Sequence, residues 1–91
     1  MNAQVTWNYK ASDEQFIAQF KVRHRIQGAP TWVETSVAKT DRLKMIAGLN
    51  VNETYEVEVA AIDAQFNESV PAQGVITLVI PAPTNLQIIQ V

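Results

Sequence analysis

The side chains able to do chemistry are few and scattered. His24 is the only histidine, and there is no cysteine. One imidazole without thiolates cannot build a zinc site of the usual type. Its functional reading is a pH switch; its plainer reading is a core-edge aromatic with a satisfied ring nitrogen. Asp41, Glu53, Asp63, Asn67 and Glu68 fall in polar stretches that read as loops. Calcium would need several of them to converge with backbone oxygens, and no EF-hand spacing exists. Solvated loop tips are the expectation. "NET" (52–54) and "NES" (67–69) match the glycosylation triplet, a short pattern that is frequent by chance. No nucleophile–base pair, phosphate loop or carboxylate pair at a useful spacing is present. The expectation is no catalytic residue, no metal and no cofactor, hence not an enzyme.

Lys21, Arg23 and Arg25 recur at every second position. That spacing puts three cations on one face of a strand, either as a surface for an anionic ligand or as partners for acidic groups on a neighbouring strand. Elsewhere the charge is thin. Seven lysines and arginines against nine aspartates and glutamates leave a net charge of −2, which argues against nucleic acid and against an anionic membrane surface. The 91 residues suffice for one small domain, and 47% hydrophobic residues suffice for one core. Without disulfides that core must hold by packing alone. The N-terminus shows no basic-then-apolar signal peptide, and the longest apolar run, residues 75–80, is too short to span a bilayer.

The elements that would position these groups are strands, because the hydrophobic period is two almost throughout. Val5, Trp7 and Tyr9 alternate with Thr6 and Asn8. Residues 10–15 read as a loop. A long strand follows, with Phe16, Ala18, Phe20, Val22, His24 and Ile26 on its inner face and Ile17, Gln19, Lys21, Arg23, Arg25 and Gln27 outside. "QGAP" breaks it at Gly28 and Pro30. Strands at 31–37 and 41–46 come next; Leu43, Met45 and Ile46 put apolar groups on both faces of the latter, leaving its register open, with a bulge or a turn or two of helix as alternatives. In "AGLNVNETYEVEVAAID", Tyr55, Val57, Val59 and Ala61 alternate with Glu56, Glu58 and Ala60, and Leu49 precedes Tyr55 across a polar turn. "DAQFNESVP" is a loop and 74–80 the last strand. Short strands at this spacing indicate a sandwich or barrel.

Over residues 4–80 the pattern resembles a fibronectin type III domain, an immunoglobulin-like β-sandwich. Trp7 looks like that family's core tryptophan on its second strand, B. Phe20, Val22 and His24 resemble the inward pattern of strand C, with His24 where a tyrosine is commoner, and Trp32 resembles a tryptophan often found on the following strand. "GLNVNETYEVEVAA" is similar to the family's Leu–turn–Tyr–x–Val–x–Val–x–Ala signature, with Val51–Asn52 in place of the usual Pro–Gly; Asn52 tolerates the left-handed backbone such a turn needs. The resemblance implies a fold signature of Trp7, Phe20, Val22, Leu49, Tyr55, Val57 and Val59, a Tyr55 hydroxyl bonded back to the preceding turn, and Glu56 and Glu58 beside Lys21, Arg23 and Arg25. It also implies a gap: the family's first strand, A, a "Pro–x–x–Leu" segment, is missing at the N-terminus.

An A-like segment stands instead at the other end, in "PAPTNLQIIQV". The expected organisation is therefore a sandwich body, 1–80, and a proline linker with an A-like strand, 81–91. Two placements stay open: donation of this strand to another domain or copy, or pairing back on the preceding strand. Candidate interaction residues are Leu86, Ile88, Ile89 and Trp32. "YEVEVAAIDAQFNES" is similar to versions of the domain in bacteriophage tail and host-specificity proteins and in bacterial extracellular proteins. The resemblance implies a non-catalytic spacer or assembly module, in a virion or outside the cell. Its partners would be other protein domains, a second copy through the C-terminal strand, or a cell-surface receptor or glycan, without membrane insertion. The alternative is an accessory domain of a secreted glycan-active enzyme.

Overall fold

The alternating pattern becomes six antiparallel strands and one 3-10 helix in the computed structural model, which describes residues 1–91. The strands are β1 (Ala3–Thr6), β2 (Gln19–Ile26), β3 (Val33–Ala38), β4 (Leu43–Ile46), β5 (Thr54–Ile62) and β6 (Ala72–Thr77). They form two sheets: a two-stranded one, β1–β4, and a four-stranded one in the order β3–β2–β5–β6. Register decides what faces inward. Phe20 lies opposite Val37 and Ala61, and Val22 opposite Val59. These inward residues meet Ala3 and Ile46 of the smaller sheet, with Leu49, Tyr55 and Leu78 closing one pole. Trp7 and Tyr9 pack edge-on against Phe20, at centroid separations of 5.4 and 5.2 Å, the arrangement ring quadrupoles favour. The result is an immunoglobulin-like β-sandwich.

Several local expectations are corrected. Residues 11–16, expected as a loop running into a strand, form the 3-10 helix, and β2 starts only at Gln19. Phe16, expected inward, is 67% exposed, while Ile17, expected outward, is buried. A bend at Ala18 breaks the two-residue parity there, so the core receives Ile17. Arg42 ties the helix down: it pairs with Glu14, donates to the Tyr9 carbonyl, and lays its guanidinium over the Phe20 ring. β1 ends at Thr6 rather than Tyr9, although the Trp7 amide still reaches the Arg42 carbonyl. In β4 the register is now fixed: Ile46 is opposite Ala3 and buried, and Leu43 and Met45 face solvent. β6 covers 72–77, not 74–80.

One pole holds most of the irregular hydrogen bonding. Tyr55 is buried, and its hydroxyl accepts from the Asn50 amide at 2.9 Å. Asn52 adopts φ 64°, the left-handed conformation the turn requires. The Leu78 amide donates to the Glu53 carbonyl, and the Asn52 amide to that of Leu78. The Leu49 amide donates to the Met1 carbonyl, and the Met1 ammonium to the Leu49 carbonyl. The start of β1, the β4–β5 corner and the end of β6 are thus fastened together. Beyond them, residues 79–91 form no strand and make no hydrogen bond to the body. The tail runs outward along a long axis of 71 Å, against 31 and 18 Å for the other two.

Candidate functional site

The backbone of β1 has one satisfied edge and one open edge. The Trp7 amide points to β4, where it bonds the Arg42 carbonyl. Parity along a strand then sends the amides and carbonyls of Gln4 and Thr6 the other way, to an edge with no strand beside it. Next to that edge runs a groove of about 300 Å³, with β1 on one side and β5 and β6 on the other. Its apolar wall is Val5, Trp7, Val57, Val59 and Ile76. Ala72 and Gly74 lie opposite Val59 and Val57, and a methyl group added at Gly74 would meet nothing within 4 Å. Small residues on β6 are what leave the groove wide. Past Trp7 it continues into a cavity of about 240 Å³ bordered by Tyr9, Phe20 and Val70. No residue of either wall carries a charge. The buried Trp7 indole N–H has no hydrogen-bond partner.

The A-like segment carries a matching chemistry on exposed side chains. Leu86 is 82%, Ile88 89% and Ile89 79% exposed. Leu86 and Ile88 share one face of an extended chain, and residues 81–91 contain no charged side chain.

The cationic face of β2 is engaged. Arg23 bridges Glu34 of β3 and Glu68 of the β5–β6 loop; Lys21 lies 3.7 Å from Glu34; and Arg25 pairs with Glu56. The two carboxylates hold the Arg23 pKa above its usual value, and Arg23 holds the Glu34 carboxyl below its own. Glu58, expected to join them, instead accepts from the Gln73 side chain at 3.0 Å. It lies opposite Arg23, but that guanidinium is drawn off to Glu34 and Glu68.

Trp32 lies just before β3 rather than within it. The Arg25 guanidinium stacks on its ring at 4.2 Å from the centroid. A shallow hollow of about 300 Å³ runs from there to Gln73 and Val75. One face of the ring is therefore already covered, which weakens it as a sugar-stacking platform. His24 is half-buried against the Tyr55 ring, and burial lowers its pKa. Asp63 organises its own loop: its carboxylate accepts from the Gln65 and Asn67 amides and from the Asn67 side chain, which lowers its pKa.

Two features escape a reading of sequence periodicity. Phe66, at the tip of the β5–β6 loop, is 79% exposed with φ 65°, a costly backbone for an aromatic residue. Its only sequence signal is an aromatic in an otherwise polar loop. The open face of β1 depends on which strand is absent beside it, and only the gap in the family pattern hinted at that.

No family profile matches the chain, and no curated protein sequence is similar to it. Among solved structures, one described as a myokine structure superposes with a TM-score of 0.70 at 18% identity, over 87% of this chain and 83% of that one. No helix is long and apolar enough to cross a membrane. Together, the sheet order, the tyrosine corner and this superposition give the chain a fibronectin type III-like fold.

Proposed function

We propose that the chain is a non-catalytic assembly module, a spacer and strand-pairing unit of a phage tail or another extracellular multi-domain structure. The observation that carries this is the uncharged open edge of β1 beside an apolar groove, in a body whose β2 cations are already paired with carboxylates. Such an edge suits a protein strand better than a soluble small molecule, because its recognition groups are backbone donors and acceptors in a row. The phage-tail setting is supported by the resemblance of "YEVEVAAIDAQFNES" to tail and host-specificity domains, which is analogy of sequence. The second reading, an accessory domain of a secreted glycan-active enzyme, loses its best support because Arg25 covers a face of Trp32. An antibody raised against the chain, applied to purified phage particles and to secreted protein fractions of the host, tests the reading. Label on the particle supports it. Label confined to a secreted hydrolase favours the second reading, and turnover of a glycoside or ester by the isolated chain overturns both.

A further inference from the structure

We infer that the groove between β1 and β6 is the seat of residues 85–91 from a second copy of this chain. The segment would lie antiparallel on β1, with Leu86 and Ile88 facing Val5 and Trp7. The inference rests on the assembly reading above and names its partner.

Four observations converge on it. First, Gln4 and Thr6 present backbone donors and acceptors to the groove, so the occupant is an extended peptide rather than a side chain or a small ligand. Second, Ala72 and Gly74 make the far wall shallow, and the space over Gly74 is open. Third, neither the groove nor the segment carries a charged side chain, in a protein where 18% of residues are charged, and the apolar groove wall faces a segment that carries Leu86, Ile88 and Ile89. Burying a charge in such a groove would cost far more than it returns. Fourth, the segment projects from the body with Leu86 and Ile88 more than four-fifths exposed, an arrangement that invites burial against a partner.

For a strand antiparallel to β1, geometry makes the partner a second copy rather than the chain itself. β6 ends at the pole where β1 begins, since Leu78 and Met1 both bond to residues 49–53. A strand antiparallel to β1 must start at the opposite pole, beside Trp7. That pole is level with Ala72, which borders the groove together with Trp7. From Leu78 the chain would have to retrace six residues of β6, about 20 Å. Residues 79–84 span about 20 Å fully extended. Nothing is left for the reversal or for the step across the groove. In a second copy no such limit applies, and each copy offers one segment and one groove, a head-to-tail contact that closes into rings or extends into chains.

The test uses the full chain and four forms: wild type; Leu86→Asp with Ile88→Asp; Gly74→Leu, which fills the groove at a position where an added Cβ meets nothing within 4 Å; and Thr6→Pro, which removes an outward amide while leaving the β1–β4 bonds intact. Sedimentation velocity over a concentration series should show reversible association of wild type. Each variant should weaken it, the double aspartate by about a hundredfold or more. A synthetic peptide of residues 83–91 added to the double-aspartate chain should shift the amide resonances of residues 3–7, and should fail to do so on Gly74→Leu. Circular dichroism and thermal melts show that each variant is folded. Wild type that stays monomeric and a groove that ignores the peptide overturn the inference, as does association unchanged by the variants. A dilute monomer whose Gln4 and Thr6 amides are already protected from exchange means the chain fills its own groove, which also overturns it. None of these outcomes touches the assembly reading, which stands or falls on particle labelling.

Discussion

Replacing Tyr55 by Phe removes one oxygen from the core and leaves the ring in place. The hydroxyl accepts from the Asn50 amide at 2.9 Å, in a partly buried site. That amide sits in the corner that also joins Met1 to Leu49 and Leu78 to Asn52 and Glu53. Loss of the acceptor leaves a partly buried N–H without a partner, a cost of about 1–3 kcal/mol. Water can reach the corner from the exposed residues 50–52, so the lower half, about 1–2 kcal/mol, is the expected value. For a chain of this length each kcal/mol lowers Tm by about 4–8 °C, so a fall of about 5–15 °C is predicted. Urea unfolding is the assay: Cm should fall with m unchanged, because the same surface is exposed on unfolding. Tyr55→Ala is the control for packing and should cost about 3–5 kcal/mol. If Tyr55→Phe alters stability by less than about 0.3 kcal/mol, the hydroxyl is not a fastening and the corner is held by packing alone.

Phe66→Gly should stabilise the chain by about 1 kcal/mol, since it relieves a left-handed backbone at an exposed position, and a rise in Cm checks it. His24 has its pKa lowered by burial from 6.5, so the unfolded chain binds the proton more readily. Its contribution to stability is complete above about pH 6.5 and is lost as pH falls through the lower folded value; His24→Phe should flatten the dependence of Cm on pH between about 7 and 5. Asp63 is likewise lowered from 3.8, chiefly by the Asn67 side chain and amide. Its contribution holds above about pH 3.8 and disappears as pH drops through the folded value, so Asp63→Ala should remove part of the acid slope. Arg25→Ala should cost no more than about 1 kcal/mol through its pair with Glu56, less in high salt, and should increase the fluorescence change when Trp32 is quenched by iodide.

What could be read from the sequence, and what could not, follows from how local each determinant is. Strand β5 was legible because Tyr55, Val57 and Val59 alternate with Glu56 and Glu58, and a two-residue period needs no neighbour to interpret it. The corner was legible because Leu49 and Tyr55 flank a turn with an asparagine where φ must be positive. Residues 11–18 were not, because "ASDEQFIA" has no period and its placement depends on Arg42, far along the chain, reaching Glu14 and Tyr9. Alternation puts the cations of β2 on one outer face, but of their carboxylate partners it reaches only Glu56. Glu34 and Glu68 come from β3 and from a loop, so sequence parity on β5 alone could not find them. The groove was the least legible, since it is defined by the small size of Ala72 and Gly74 and by the strand that β1 lacks.

The same groove links stability to assembly. Only 13 of the 91 residues are buried, so the body folds with little reserve. A strand that enters the groove covers Val5, Trp7 and Ile76 and binds the folded state alone, and it therefore stabilises the fold in proportion to its free concentration. Leu86 and Ile88 contribute about 1.5–3 kcal/mol each when fully buried. That sum is comparable with the lower end of the cost of bringing two free molecules together. Free copies should then associate weakly, whereas copies held side by side, or joined in one chain, meet at millimolar effective concentration and should pair firmly. A strand-and-groove contact of this strength suits a unit that folds alone with little reserve and gains its last stabilisation from the assembly that positions it.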